Sequence, residues 1–253
     1  CDVITINCNS SGEFTRGAEP LPHHLSKISK TVINTNADLG IATDPDGDRL
    51  AIIDETGTPI GEESTLVICC DSLLKDNHIK TPIITNLSTS MAIDDLANKY
   101  DVTVLRSNVG EINVVNQMKN CASIIGGEGN GGVILPESHY GRDAFVGATI
   151  ILNHLATNDL TMEQAQQKIP KYYMLKEKIA LNNELDSDLL NKKIQKTYIN
   201  SNFDYTDGIK VIDENFWIHI RQSNTEPIIR IYIESKKEKQ LSILLNQIKE
   251  IFN

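Results

Sequence analysis

Three carboxylates occupy alternate positions of one short turn, Thr43-Asp-Pro-Asp-Gly-Asp-Arg49. A Pro/Gly turn can bring the oxygens of Asp44, Asp46 and Asp48 onto a single hard cation. Crowding three negative charges costs free energy unless a cation or a neighbouring guanidinium neutralises them. Three protein ligands leave coordination positions for water and phosphate oxygens, as Mg²⁺ prefers, and Arg49 could grip the same phosphate through two N–H groups. The pairing points to phosphoryl transfer. Two other readings compete. One is a solvated acidic turn. The other is an EF-hand calcium loop, with Asp44, Asp46 and Asp48 at its first, third and fifth positions and Glu55 at its twelfth. Against the EF-hand, Arg49 takes the sixth position, where glycine is needed, and the flanks read as strands rather than helices.

A second loop, Ile124-Ile-Gly-Gly-Glu-Gly-Asn-Gly-Gly-Val133, suspends one acid and one amide among glycines. Glycine lets a ligand approach the main chain closely, and Glu128 and Asn130 offer the acceptor and mixed donor/acceptor that adjacent sugar hydroxyls require. A third loop, Arg221-Gln-Ser-Asn-Thr-Glu-Pro227, joins two strand-like runs, with Arg230 on the second. Arg221, Ser223, Asn224 and Thr225 form a donor set suited to a dianionic phosphate. Ordinary flexible or polar turns are the competing reading of both.

The elements that must position these loops fall into three stretches. Residues 1–55 carry strand-like runs at 3–6, 37–43 and 50–53, so the chain is expected to open inside a domain, as a truncated product of a longer gene. Residues 56–157 alternate helix (62–75), strand (82–85), helix (90–100), strand (102–105), helix (110–118) and strand (123–125), closed by an apolar helix at 144–155. That alternation predicts a largely parallel sheet covered by helices. A connector at 158–170 opens with the capping-box pattern Thr161-Met-Glu-Gln164. Residues 171–253 hold a helix at 187–198, strands at 208–212, 216–221 and 228–234, and an amphipathic final helix. The fold class is therefore α/β, with an incomplete first α/β domain, a second α/β domain, and a small α+β domain built on an antiparallel sheet.

The net charge of −10 argues against a nucleic-acid partner, which would call for a basic footprint. No apolar run approaches the roughly 20 residues of a membrane span. The five cysteines show no paired spacing for zinc or redox chemistry, a usage that suits a reducing cytoplasm.

The three loops, in this order, resemble the metal loop, the sugar-recognition loop and the phosphate-binding loop of the α-D-phosphohexomutase superfamily. Asp44-Pro-Asp-Gly-Asp-Arg49 resembles its Asp-Gly-Asp-Gly/Ala-Asp-Arg, and Arg221 to Pro227 its Arg-x-Ser-x-Thr-Glu-Pro. The resemblance covers essentially the whole chain. It implies the second half of domain 2 (residues 1–55), domain 3 (56–157) and domain 4 (171–253). It also implies Mg²⁺ on Asp44, Asp46 and Asp48, with Arg49 steadying the transferring group and the sugar held by Glu128 and Asn130. Arg221, Ser223, Asn224, Thr225 and Arg230 would clamp the non-reacting phosphate. Leu105-Arg-Ser-Asn-Val-Gly110 is similar to the domain 3 loop that approaches the substrate, which brings in Val109 and Gly110. Tyr140-Gly-Arg-Asp143 sits where the family borders its cleft, which brings in Arg142. The implied activity moves phosphate between C1 and C6 of a hexose through a bisphosphate, with a phosphoserine in domain 1 of the same parent protein as carrier. The sugar loop departs from the family pattern, with Asn130 in place of Ser and Gly132 in place of His; this variant favours phosphoglucosamine over phosphoglucose or phosphomannose. The family's Ser-His-Asn-Pro phosphoserine loop does not occur in this sequence, so the chain alone is expected to be inactive.

Overall fold

The computed structural model describes residues 1–9, 11–77, 80–180, 187–223 and 226–252. In the first stretch, helix α1 (Ser26–Thr35) packs on an antiparallel pair, β1 (Gly40–Thr43) and β2 (Leu50–Ile53). Thr43 pairs with Leu50, so the acidic turn is the connection of this hairpin. Gly40 is where the helix comes closest; a Cβ there would lie 2.9 Å from Val32 Cγ2. The alternation of β2 serves two cores at once. Ala51 and Ile53 pack with Leu25 and Val32, whereas Leu50 and Ile52 belong to the large core of the middle stretch. The strand expected at residues 3–6 does not form, and Val3 and Ile4 are exposed. Strand propensity expresses itself only against a partner, and no described segment pairs with these residues.

The middle stretch runs α2 (Glu62–Asn77), β3 (Ile83–Asn86), α3 (Ala92–Tyr100), β4 (Val104–Ser107), α4 (Glu111–Cys121), β5 (Gly126–Glu128), β6 (Gly132–Ile134), α5 (Ala144–Asn158) and α6 (Met162–Gln167). The sheet order is β4-β3-β5-β6, parallel except for β6, which returns antiparallel against β5. The strand expected at 123–125 lies three residues later, on glycines. At Gly126 a Cβ would stand 2.6 Å from Met118 Sδ and 2.7 Å from the Ile84 carbonyl oxygen, so close packing, rather than propensity, selects the residue. The capping box at Thr161 and Gln164 forms as read, and Asp143 caps α5 by accepting from the N–H groups of Phe145 and Val146.

The last stretch is a five-stranded antiparallel sheet of order β7-β11-β10-β9-β8, built from β7 (Tyr173–Ala180), β8 (Asn202–Asp204), β9 (Ile209–Ile212), β10 (Phe216–Gln222) and β11 (Ile228–Ser235). Helices α7 (Ser187–Thr197) and α8 (Glu238–Phe252) cover one face, over Ile218, Ile220, Ile229, Ile231 and Ile233. The other face carries Lys210, Trp217, His219 and Glu234, all buried, and turns towards the middle unit. Among the described residues, no helix is long and apolar enough to cross a membrane.

Gly126→Ala is expected to cost about 1–3 kcal/mol of stability by overpacking. Adding Met118→Ala should not restore it, because the Ile84 carbonyl remains in the way; urea denaturation of the single and double variants checks both.

Candidate functional site

The acidic turn is preorganised by its own backbone. Asp44 Oδ1 accepts from the N–H of Asp48 (3.1 Å) and of Arg49 (3.0 Å). Ligand oxygens of Asp44, Asp46 and Asp48 all lie within 4.8 Å of one another. Asp44 is held below the ordinary carboxylate range: burial opposes this, but the Arg49 N–H and charge and the neighbouring aspartates outweigh it. Asp48 is pushed up to about 6, first by burial and then by Asp44 and Asp46, with Arg142 opposing. Asp48 Oδ1 is buried without a hydrogen-bond partner. A crowded all-oxygen set with an orphaned carboxylate oxygen fits a small divalent cation. The EF-hand alternative lacks its helices, and Glu55 is turned away, accepting from the Glu163 N–H at 3.2 Å. Arg49 stands beside the cluster, with Nε 3.4 Å from Asp44 and 3.7 Å from Asp48 and Nη1 3.0 Å from Glu19.

The glycine loop is the β5–β6 hairpin, and it is stitched to the acidic turn. Leu50 N–H donates to the Gly131 carbonyl (3.0 Å), and Ala144 N–H donates to the Gly47 carbonyl (3.0 Å). Gly131 has φ +86° and a Cβ there would run into Leu50 backbone, so the two loops touch only because this residue has no side chain. Arg142 completes the junction. Its guanidinium donates to Asp48, to Glu128 Oε2 (2.7 Å) and to Glu111 Oε2 (3.0 Å). Glu128 Oε1 accepts in addition from Asn86 Nδ2 (2.7 Å) and Gly110 N (3.0 Å). A carboxylate offers about four acceptor positions, so Glu128 keeps about one for a ligand. Asn130 Oδ1 turns inward to the Gly132 N–H (3.2 Å). The Gly132 departure also has a local cause, because a Cβ there would collide with the Arg142 side chain.

In the last stretch Arg221 and Arg230 stand directly opposite on β10 and β11, and Arg230 opposite Lys178 on β7. Like charges in register are destabilising, and an anion would relieve that. Arg230 pairs with Glu226 (2.6 Å), while Arg221 Nε is buried without a hydrogen-bond partner. Ser223 Oγ accepts from Glu226 N (3.3 Å). Asn224 and Thr225 lie outside the described residues.

Val109 and Gly110 link the two parts: Gly110 N–H meets Glu128, and Val109 N–H donates to Asp207 Oδ2 (2.9 Å) in the turn between β8 and β9. Close by, His219 Nε2 is 2.6 Å from the Asp207 carbonyl and Nδ1 2.8 Å from Ser88 Oγ. A carbonyl can only accept, so the neutral ring carries its proton on Nε2 and Nδ1 accepts from Ser88. Burial pulls this imidazole down to about 4. Sequence reading missed Glu19, Asn86, Glu111, Lys178 and Asp207. Each sits outside the motif loops and gains its place only through tertiary packing.

Family models match nearly the whole chain: "Phosphoglucomutase/phosphomannomutase, alpha/beta/alpha domain II" over residues 1–57, domain III over 61–173, and the C-terminal domain over 177–251. A phosphoglucomutase/phosphomannomutase from Thermococcus kodakarensis is 33% identical over 95% of this chain and 53% of its own length. A phosphoglucosamine/phosphogalactosamine mutase from Sulfurisphaera tokodaii is 32% identical over 99% of this chain and 56% of its own. Among solved structures, a phosphoglucomutase/phosphomannomutase family protein from Burkholderia thailandensis superposes with TM-score 0.79 at 19% identity, over 92% of this chain and 50% of that one. The chain thus spans about half the length of the curated relatives it matches.

Two outcomes follow from the geometry. Arg142→Ala leaves three carboxylates without their shared cation and should cost about 3 kcal/mol or more in urea denaturation. His219 has a folded pKa below its unfolded value, so its contribution to stability is full above pH 6.5 and is lost as pH falls towards 4. His219→Gln should flatten the unfolding midpoint over that window relative to the parent chain.

Proposed function

On the premise that the chain belongs to the phosphoglucomutase/phosphomannomutase family of α-D-phosphohexomutases, we propose that it forms the metal-, sugar- and phosphate-binding part of an enzyme that interconverts hexose 1-phosphate and 6-phosphate. The observation that carries this reading is Arg142, whose one guanidinium joins Asp48 of the acidic turn to Glu128 of the glycine loop. Asp44, Asp46 and Asp48 would hold Mg²⁺. When bound, the ion would neutralise charge developing on a transferring phosphoryl group. Arg49, kept in place by Glu19, adds positive charge beside the same carboxylates. Glu128, already oriented by Arg142, Asn86 and Gly110, accepts from a sugar hydroxyl through its remaining position, with Asn130 beside it. Arg221, Ser223, Asn224, Thr225 and Arg230 bind the phosphate that does not react. A clamp at one end and a cation at the other would restrict the sugar to reactive orientations, and positioning supplies most of the rate in such chemistry.

In this reading residues 1–55, 56–157 and 171–253 act as three domains around one cleft. The partner is the N-terminal domain of the same parent protein, which presents the phosphoserine. The bisphosphate forms as the sugar monophosphate takes that phosphate, and it is consumed as the other phosphate returns to the serine. The preferred sugar is glucosamine phosphate, on the strength of the Gly-Glu-Gly-Asn-Gly-Gly loop and one relative's name; glucose and mannose phosphates are the alternative, on the strength of another's. Five free thiols suit a cytoplasmic setting.

The purified chain should bind glucosamine 6-phosphate in a Mg²⁺-dependent manner yet show no turnover in a coupled assay with glucosamine, glucose or mannose 6-phosphate. Turnover by the chain alone would contradict the division of labour, and absence of any sugar-phosphate binding would contradict the function.

A further inference from the structure

We propose that Asp207 is a positioning residue that ties the phosphate clamp of the C-terminal unit to the sugar-reading carboxylate of the middle unit; the proposal rests on the phosphohexomutase reading above. Asp207 lies in none of the motif loops. Its Oδ2 accepts from Val109 N–H at 2.9 Å, and the preceding Thr206 carbonyl accepts from Asn108 Nδ2 at 3.0 Å. The segment 108–110 is therefore held from across the unit boundary by two hydrogen bonds.

One residue further on, Gly110 N–H donates to Glu128 Oε1 at 3.0 Å. Gly110 has φ +119°, a conformation side chains rarely adopt, so the chain bends sharply enough for two successive N–H groups to serve one carboxylate in each unit. On its other side, the turn carrying Asp207 rests on the clamp strand. A Cβ at Gly208 would collide with the Ile220 carbonyl and lie 3.0 Å from Arg221 Cα. The chain of contacts runs from Arg221 backbone through Gly208 and Asp207 to Val109 and Gly110, and from there to Glu128, Arg142 and Asp48.

A second strut runs parallel to it. His219 joins the Asp207 carbonyl to Ser88, whose N–H bonds Asn86 Oδ1 (2.9 Å), and Asn86 Nδ2 holds the same Glu128 oxygen. Seating a phosphate at Arg221 thus fixes the turn that in turn fixes Glu128. A hexose phosphate reaches both ends of this connection, whereas inorganic phosphate reaches only the clamp. Asp207 therefore governs how strongly the sugar adds to the phosphate, rather than how strongly the phosphate binds.

The test is calorimetric titration of the 253-residue chain, in Mg²⁺, with inorganic phosphate and with glucosamine 6-phosphate. Asp207→Ala should leave phosphate affinity unchanged and shrink the preference for the sugar phosphate by about tenfold, the scale of ordinary coupling between sites. Amide exchange at Gly110 should quicken in the same variant. Asp207→Asn keeps an acceptor oxygen for Val109 N–H and should recover most of the preference. An unchanged preference in a folded Asp207→Ala chain overturns the proposal. So does an equal weakening of both ligands with a lowered unfolding midpoint, which marks a purely structural role. If the parent chain itself does not prefer the sugar phosphate over phosphate, the functional reading falls and the proposal falls with it.

Discussion

Everything at the centre of this molecule depends on how one guanidinium is shared. Asp44, Asp46 and Asp48 crowd one turn, and Glu111 and Glu128 approach from the middle unit. Unneutralised, that density of negative charge would push the two loops apart. Arg142 is set just ahead of Asp143, the cap of α5, and a planar fork is the side chain able to serve three carboxylates at fixed angles. Its charge offsets only part of theirs. The remaining deficit is one that a divalent cation would neutralise.

The scaffold converts that electrostatic junction into a fixed geometry. β2 is the shared beam, because its alternate side chains enter two different cores, so the acidic turn cannot move independently of the middle sheet. Backbone bonds from Leu50 to Gly131 and from Ala144 to Gly47 fasten the second half of the turn. The C-terminal sheet is similarly two-faced. Its isoleucine face folds the unit, and its polar face, through Lys210 on the Leu87 carbonyl (2.5 Å), His219 on Ser88 and Glu234 on the Met91 N–H, docks it to the loops that follow β3. Hydrogen bonds feature strongly on this docking face, which suits a contact between units that keep separate cores.

Much of this was legible in the sequence, and the misses have physical causes. The three loops announce themselves because carboxylates, glycines and hydrogen-bond donors at those spacings have few structural uses. The helices of the middle stretch declare their faces, and Thr161-Met-Glu-Gln164 caps as written. β7 stayed hidden because Lys176, Glu177 and Lys178 interrupt its apolar alternation, although Tyr173, Leu175 and Ile179 do pack on the core. β5 was misplaced because two of its three residues are glycines, disfavoured in strands unless the neighbours leave no room for a side chain. Residues 3–6 show the reverse error, a strand-like composition with nothing described to pair against. Asn86, Glu111 and Asp207 could not be found at all, because their roles exist only once separate units meet.

On the proposed function, the acidic turn and the glycine loop border one cation site. Paramagnetic broadening by Mn²⁺ in amide-resolved NMR of the chain tests it directly. Asp46 and Asp48 should broaden together with Glu128, Gly131 and Arg142 at the lowest ion concentrations. Broadening confined to the turn, with residues 128–132 left sharp, would show that the two loops do not share a site and would contradict the account.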